Sequence, residues 1–290
     1  MQIILHIGAH ATNEDALLRA LLANHDRLHG MGIAVPGPAR YRELLRDVIA
    51  RLEGAEAAEG SGDLILDEIG IAPETRRVIL SYPHAMGFIV GAVGREMLYP
   101  AATRRIGALL RLFAGHEVTL ALGLRNPATW LPELLARQTA KTEAEFLGRV
   151  DLHALRWSHL VTRLSDMRPT AGMIVWSDEG APLGWPAILR ALAGVGWEVR
   201  LAEADAIARS LLPEAAGRAL GLRLAQFDPP DAQSWAALVA DHLRDHADPA
   251  IAEVEIALSG WTQPLVDDLG ARYEADLGRI AVLPALTWLG

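Results

Sequence analysis

The chain of 290 residues contains no cysteine. This absence excludes disulfide bridges, thiolate metal sites and cysteine nucleophiles. Long hydrophobic runs are missing too, since no stretch approaches the roughly 18 apolar residues of a membrane helix. The first residues also lack the basic segment of a secretory signal. We therefore expect a cytoplasmic protein with no membrane partner.

Basic residues are fewer than acidic residues. The sequence has 27 Lys and Arg against 36 Asp and Glu, which gives a net charge of -9. An acidic chain is unsuited to nucleic acid and to anionic membrane surfaces, so we expect no nucleic-acid partner. Apolar residues make up 51% and charged residues 22%, which is typical of a globular protein.

Three common motifs are absent from the sequence. It has no G-x-x-x-x-G-K-S/T, no G-x-G-x-x-G after a strand and no G-x-S-x-G. Nucleotide hydrolysis by a standard phosphate loop, dinucleotide binding and the hydrolase elbow therefore lose their usual support.

Short apolar runs alternate with amphipathic segments along the first two thirds of the chain. This alternation predicts an α/β fold in three layers, with a parallel sheet flanked by helices. Strands are predicted at 3–7, within 30–38, and at 78–81, 116–124 and 173–176. Helices are predicted from Leu17 and at 41–52, 100–113, 127–141, 151–166 and 185–193.

The last third of the sequence is predicted to be almost entirely helical, at 203–212, 213–224, 231–245 and 262–280. We expect a single domain over 1–290, with an α/β core at 1–200 and a helical part at 201–290 packed on it. Residues 53–62 are predicted as a frayed helix end or a loop, and 64–71 receive no assignment.

The first twenty residues are the most distinctive stretch of the chain. A short buried strand over Ile3 to Ile7 is followed by Gly8, which permits a tight turn, and then by a helix with acidic residues in its first turn. A strand, loop and helix in this order direct backbone N–H groups and the positive end of a helix dipole at one point. Such a point commonly holds a phosphate or sulfate.

This loop resembles the opening loop of the bacterial PAPS-dependent sulfotransferases, which is roughly H-I-G-x-H-K-T-G-T-T-x-L-Q. In that family the loop wraps the 5′-phosphosulfate of 3′-phosphoadenosine-5′-phosphosulfate (PAPS). The matching positions are His6, Ile7, Gly8, His10, Thr12 and Leu17. The resemblance implies a sulfotransferase-like P-loop fold, PAPS as cofactor, and a donor site that includes Gly8, Ala9, His10, Ala11 and Thr12.

The chain departs from the family pattern at the positions that bind the donor in that family. The family lysine is Ala11, the second glycine is Asn13, and the two phosphate-binding threonines are Glu14 and Asp15. Sulfuryl transfer requires charge to be stabilised on the leaving phosphate, and alanine supplies no such stabilisation. Two carboxylates suit the start of a helix but repel a bound polyanion. The sequence thus predicts a retained scaffold with a degenerate PAPS site.

Arg125 carries a second part of the resemblance. The family has an arginine at the end of this strand and a serine eight residues later, and the two hold the 3′-phosphate of the nucleotide. Here the later residue is Glu133. The resemblance implies a cofactor-binding role for Arg125, and the alternative is an ion pair between Arg125 and Glu133 or Asp178.

Two loop residues are candidates for catalysis. His84 follows the strand at 78–81, and a histidine near the anion loop could deprotonate an acceptor hydroxyl. The alternative is a loop histidine without a catalytic role. Asp178 and Glu179 follow the strand at 173–176, where open α/β sheets bind ligands, so Glu179 is the second candidate. Capping the helix at Trp185 or pairing with Arg125 are the alternatives for these acids.

A metal site has little support in the sequence. His242 and His246 stand four residues apart on a predicted helix, but no third ligand can be assigned to them. A solvated polar helix face is the alternative. We therefore expect no metal.

Three functional hypotheses remain open. The leading one is a sulfotransferase-like protein that has lost PAPS-dependent sulfuryl transfer and acts as a binding or regulatory pseudoenzyme for a small-molecule or anionic ligand. The second is an active sulfotransferase, or a related transferase, with an atypical anion site that uses Arg19 or Arg125. The third is a structural subunit that self-associates into a homo-oligomer through its apolar helical third.

Overall fold

A computed structural model describes residues 1–52, 55–252, 256 and 258–290 of the chain. Six strands form one sheet in the order β2-β3-β1-β4-β5-β6, and every neighbouring pair is parallel. The predicted fold class, a parallel sheet flanked by helices, is confirmed. The strands are β1 Gln2–His6, β2 Ile33–Ala34, β3 Arg77–Ser81, β4 Glu117–Leu124, β5 Met173–Ser177 and β6 Leu286–Leu289.

The α-helices of the described residues surround this sheet. In chain order they are α1 Glu14–Ala23, α2 His25–His29, α3 Arg42–Arg51, α4 Ser61–Glu68, α5 Ala102–Leu112, α6 Pro127–Ala136, α7 Glu143–Leu147, α8 Trp157–Ser165, α9 Ala181–Ala193, α10 Ala206–Arg209, α11 Glu214–Phe227, α12 Ala232–His246, α13 Pro249–Ala252 and α14 Gln263–Ile280. Each of these helices is too short or too polar to cross a bilayer.

The alternation of side chains along the strands separates two apolar cores. Ile3 and Leu5 of β1 face one core, which they share with helices such as α5 and α8, whereas Ile4 faces the other core with α1 and α9. Because both faces of the parallel sheet are covered, the central strands are apolar at almost every position, as the sequence indicated. On β4 only Glu117 at the start of the strand is exposed.

Several boundaries differ from the predictions. Helix α6 ends at Ala136 rather than at residue 141, and α8 begins at Trp157 rather than at 151. The unassigned stretch at 64–71 is largely helix α4, which also takes in the last two residues of the stretch predicted as a loop at 53–62. Residues 53 and 54 of that stretch lie outside the described residues.

Among its described residues, the C-terminal third contains helices and one strand that the sequence did not predict. Helices α10, α11 and α12 share a small apolar core of their own, and α12 also packs on α9. Helix α14 packs on α6 and α8. After α14, residues 286–289 form β6 at the edge of the sheet, parallel to β5. Residues 201–290 therefore contribute a sheet strand as well as packed helices.

Asp276 of α14 fastens this last long helix to α8. It is 1% exposed, and its carboxylate accepts hydrogen bonds from the backbone N–H of Ser158 at 2.9 Å and from the Ser158 hydroxyl at 2.5 Å. The residue before α8, Arg156, makes no side-chain capping bond. A carboxylate from another helix therefore supplies the cap that α8 lacks in its own sequence.

Replacing Asp276 with alanine should destabilise the fold. The change leaves the buried Ser158 N–H and hydroxyl without acceptors, which we expect to lower the free energy of unfolding by about 2–3 kcal/mol. Urea denaturation followed by circular dichroism measures this difference. Asp268→Ala is the matched control, because this half-exposed residue of the same helix makes surface ion pairs with Arg272 and His153, and their loss should leave stability nearly unchanged. Equal effects of the two variants would contradict the capping role.

Candidate functional site

The loop that follows β1, residues 7–13, lies where an open α/β sheet usually binds a ligand. The chain leaves β1 toward β2 on one side of the sheet, and leaves β4 toward β5 on the other. Because the two connections diverge, a crevice opens at the carboxyl ends of β1 and β4. The loop crosses this crevice and leads directly into α1.

The path of this N-terminal loop depends on Gly8. Its φ of +116° is a backbone conformation that L side chains rarely adopt, and a Cβ there would lie 3.2 Å from the carbonyl oxygen of Pro83. Three residues later Ala11 also has a positive φ, of 57°. The loop therefore turns sharply at two places, as the sequence predicted for Gly8.

The loop is seated on β4 through its backbone. The N–H of Ala9 donates to the carbonyl of Gly123 at 3.0 Å, and the N–H of Gly123 donates to the carbonyl of Gly8 at 2.8 Å. Gly123 also allows a close approach, since a Cβ at this position would lie 3.0 Å from Trp176 and 3.2 Å from the Thr12 hydroxyl. The loop residues Ala9, His10, Ala11 and Thr12 are consequently buried.

Glu14 directs its carboxylate back into the loop. Its Oε1 accepts a hydrogen bond from the N–H of Ala11 at 3.2 Å and one from Arg137 Nη1 at 3.0 Å. Its Oε2 is buried without a hydrogen-bond partner. Burial raises the pKa of Glu14, while the bond from Ala11 and the charge of Arg137 act in the opposite direction.

A second carboxylate reaches the loop from the carboxyl end of β5, which is the second strand from β1 in the sheet. Asp178, just after β5, accepts hydrogen bonds at its Oδ1 from the N–H of Asn13 at 2.9 Å and from the Asn13 side-chain amide at 2.8 Å. Burial raises the pKa of Asp178 to about 6, although the bonds from Asn13 and the charge of Arg125 lower it. Two internal carboxylates thus accept hydrogen bonds from loop amides that could otherwise bind an anion.

Arg125 contacts the opposite side of the loop. Its Nη1 donates to the carbonyl of Ala11 at 2.7 Å and its Nε donates to the hydroxyl of Thr129 at 3.2 Å. Glu133, the alternative partner, instead pairs with Arg137 at 2.7 Å. The indole N–H of Trp130 likewise donates to the carbonyl of His10 at 2.7 Å. Arg125 therefore holds the loop in place through a backbone carbonyl.

The loop also joins His84 to Tyr99 through His10. The Tyr99 hydroxyl accepts from the backbone N–H of His10 at 3.0 Å and lies 2.8 Å from His10 Nδ1, while His10 Nε2 lies 2.9 Å from His84 Nδ1. If the tyrosine hydroxyl donates its proton to Nδ1, His10 carries its own proton on Nε2 and donates it to His84. With this assignment, each hydrogen bond of the Tyr99–His10–His84 hydrogen-bond chain has one donor and one acceptor. A neutral His84 then carries its proton on Nε2.

Burial favours the neutral form of both histidines. Burial, followed by the nearby charges of His84 and Arg137, lowers the pKa of His10 to about 3. Burial also lowers the pKa of His84, and the charges of Arg42 and Arg105 add to this effect. Arg42 donates its Nε to the carbonyl of Ser81 at 3.0 Å, and its Nη2 is buried without a partner.

His6 ends β1 beneath the loop. Its Nδ1 lies 2.9 Å from the Ser81 hydroxyl, an arrangement set by the register that places His6 beside Ser81. Its ring stacks on Trp176 with centroids 5.8 Å apart, and its Nε2 has no hydrogen-bond partner. Complete burial lowers the pKa of His6 to about 3.

Glu179, the second catalytic candidate, uses both carboxylate oxygens inside the fold. Its Oε1 accepts from the N–H of Asn126 at 2.6 Å, and its Oε2 accepts from the hydroxyl of Tyr273 on α14 at 2.9 Å. Asn126 in turn caps α6. The side chain thus joins the loop after β5 to the start of α6 and to the C-terminal third.

The remaining predicted positions lie apart from this site. Arg19 is exposed on α1. Asp15 is exposed too, but it lies next to Glu14, and its charge helps to raise the pKa of Glu14. His242 and His246 have ring centroids 4.6 Å apart, but His242 Nε2 bonds to the carbonyl of Ala216 at 2.9 Å. Within the described ranges, no three or more His, Asp or Glu residues are grouped as a metal site would require.

Among the residues of the site that the sequence did not identify are Arg137, Tyr99 and Arg42. Arg137 had a signal, because it stands four residues after Glu133 on a predicted helix face. Tyr99 and Arg42 gave none, because their positions beside the loop depend on contacts across the sheet. Tyr99 is fully buried and Arg42 partly buried.

Comparisons with known proteins add little to this geometry. No protein-family model matches the chain, and no curated protein matches it. A solved structure that is similar is that of a sulfotransferase from Alicyclobacillus acidocaldarius, with 16% sequence identity and a TM-score of 0.41 over 82% of this chain and 95% of that one. Similarity at this level leaves the family and activity of the chain unassigned.

The buried His6 should make stability depend on pH. Its folded pKa of about 3 lies below the ordinary 6.5, so the unfolded chain binds the proton first and stability is lost as the pH falls from 6.5 toward 3. In His6→Asn, which retains a polar atom near Ser81, this loss is absent. The stability difference between wild type and variant should therefore shift by about 1.4 kcal/mol per pH unit within that range.

Urea denaturation of both proteins from pH 7 to pH 4 measures this shift. Comparing the two proteins isolates His6, because both contain the other shifted groups: His10 and His84 with lowered pKa values, and Asp178 and Glu14 with raised ones. A difference that does not change with pH would show that the pKa of His6 is the same in the folded and the unfolded protein.

Proposed function

We propose that the protein is a non-catalytic binding protein built on a sulfotransferase-like scaffold, and that its N-terminal loop does not bind PAPS. One observation carries the proposal: the amides of Ala11 and Asn13 donate to the carboxylates of Glu14 and Asp178. A donor phosphate would have to displace both carboxylates from amides that such a loop offers to an anion.

Charge, as well as the lack of free amides, opposes the binding of a phosphosulfate donor at the loop. A phosphosulfate at this loop would stand beside two carboxylates in a buried, weakly screened environment, where like charges repel strongly. Two arginines contact the loop or its carboxylates: Arg137 already pairs with Glu14 and Glu133, and Arg125 already donates to the carbonyl of Ala11 and to the hydroxyl of Thr129. The loop therefore has little positive charge left for a polyanion.

The Tyr99–His10–His84 hydrogen-bond chain also argues against a general base at the loop. For His84 to accept a proton at Nε2, its own proton must sit on Nδ1 and point at His10, which reverses both hydrogen bonds of the chain. The Tyr99 hydroxyl would then accept twice and hold a buried proton with no acceptor. Glu179 is equally committed, since both of its oxygens accept internal bonds.

An active transferase with an atypical anion site is the alternative that one observation favours. Arg42 and Arg105 lie close enough to His84 to lower its pKa, and Arg42 Nη2 is buried without a partner. These cations stand beside the loop after β3 rather than at the N-terminal loop. Arg19 and Arg125 do not support this alternative, because Arg19 is exposed and Arg125 binds the carbonyl of Ala11.

Titration with adenosine 3′,5′-bisphosphate, the desulfated donor, tests the main proposal. We expect isothermal titration calorimetry to detect no binding at millimolar nucleotide, because the carboxylates of Glu14 and Asp178 occupy the loop. A sulfotransferase that binds the same nucleotide is the positive control. Binding with a micromolar dissociation constant would contradict the proposal and favour the transferase.

Removing the two carboxylates should create the missing anion site. In Glu14→Thr combined with Asp178→Ala, the amides of Ala11 and Asn13 become free and Arg137 loses a partner. We expect the affinity for inorganic pyrophosphate to rise at least tenfold, which corresponds to about one charge-assisted hydrogen bond.

The matched control is Glu14→Gln combined with Asp178→Asn, which neutralises both side chains but keeps an oxygen near each amide. It should gain less than the truncated variant. If neither variant gains affinity while both retain the circular dichroism of the wild type, the two carboxylates are not what prevents the loop from binding an anion.

A further inference from the structure

A cavity of about 310 Å³ lies away from the N-terminal loop, between the end of α9, the segment 197–205, α11 and the start of α12. We call it the α9–α11 cavity. It is within the size range of small-molecule sites. Asn24, which follows the end of α1 opposite to the loop, bonds to the backbone of Ala202 in this segment. The length of α1, roughly 15 Å for ten residues, therefore separates the cavity from the loop.

Two of the residues that line this cavity carry a buried donor without an acceptor. Arg190 Nε and the indole Nε1 of Trp235 are both without a hydrogen-bond partner, although each residue is only 8% exposed. Two larger hollows at the amino ends of the strands, of about 580 and 800 Å³, carry no such group among the described residues. A buried N–H without an acceptor is costly, so two of them on one cavity indicate a ligand that supplies acceptors.

The charges around the cavity favour an anionic ligand. The carboxylates that line it are paired: Asp228 with Arg200 at 2.6 Å, and Glu203 and Asp205 with Arg209 at 2.8 and 3.2 Å. Arg190 differs, because its Nη1 and Nη2 donate to backbone carbonyls. Burial lowers the pKa of Arg190, and the charge of Glu198 opposes this shift. Among the described residues no carboxylate lies within ion-pair distance of Arg190, so its guanidinium has no direct ion pair.

The rest of the lining is apolar and flat. Trp197 stacks beneath Arg190 with the guanidinium carbon 4.1 Å from the ring centroid, and it lies 6.4 Å from the Trp235 ring. Leu201 and Leu224 complete the apolar surface. An aromatic or other flat hydrocarbon body would pack here better than a sugar or a phosphate ester.

From these observations we infer that the α9–α11 cavity binds a small organic monoanion with a flat apolar body. Its carboxylate oxygens accept from Arg190 Nε and Trp235 Nε1, and its body packs on Trp197 and the two leucines. This site is independent of the N-terminal loop and of the function proposed for it.

The test uses 2-naphthoate as the probe and the neutral 2-naphthamide as its matched control. Isothermal titration and ligand-observed NMR on the full chain should show that naphthoate binds with a dissociation constant below one millimolar and at least tenfold tighter than the amide. Equal binding of the two probes, or no binding of naphthoate at millimolar concentration, would overturn the inference.

Variants locate the binding. Trp235→Phe keeps an aromatic ring and removes an N–H that no protein group needs, so we expect the naphthoate affinity to fall about tenfold with the circular dichroism unchanged. Trp288→Phe, on β6 and away from the cavity, should bind naphthoate as the wild type does. An unaltered affinity in Trp235→Phe would overturn the site.

A cavity-filling variant keeps the test independent of Trp235. Gly221 lines the cavity, and a Cβ there would meet only Asp205 Oδ2, at 3.6 Å, so a side chain can be added. Gly221→Leu should abolish naphthoate binding by occupying the space. Binding of wild-type strength in this variant would place the probe elsewhere and refute the proposal.

Discussion

The hydrogen bonds from the N-terminal loop to Glu14 and Asp178 fix the position of this loop at the carboxyl ends of β1 and β4. They use charged acceptors, and hydrogen bonds to charged groups are each worth about 1.5–3 kcal/mol when formed inside a protein. They also join two distant parts of the chain, because Asp178 stands 165 residues after Asn13. A loop of this shape ordinarily offers its amides to a ligand, whereas here the protein supplies the acceptors itself.

Backbone carbonyl groups of the loop also have hydrogen-bond partners inside the protein. Arg125 and Trp130 donate to the carbonyls of Ala11 and His10, so both the donors and the acceptors of the loop backbone have internal partners. Further bonds link the loop to Gly123 on β4 and to Tyr99. A segment held from so many directions is suited to a structural role, since binding an anion would require several of these bonds to break together.

Buried side-chain atoms without a hydrogen-bond partner lie in two regions of the described residues. At or near the loop they are Glu14 Oε2, Arg42 Nη2 and His6 Nε2, and beside the α9–α11 cavity they are Arg190 Nε on α9 and Trp235 Nε1 on α12. The latter two residues line a cavity with tryptophan rings, which is a more suitable place for a small ligand than the crowded loop. The chain thus combines a closed crevice at the usual ligand position of the fold with a separate hollow at the opposite end of α1.

The sequence by itself determined the local features: the buried strands, most helices, the tight turn at Gly8 and the excess of negative charge in the loop. These follow from short-range patterns such as the apolar run of β4 and the acids at the start of α1. It did not reveal β6, whose four residues depend on pairing with β5, nor the late start of α8, whose cap comes from Asp276. The tertiary structure alone decided that Glu14 and Asp178 accept the loop amides and that Tyr99, His10 and His84 form one chain, because parallel strands bring together side chains that are far apart in sequence.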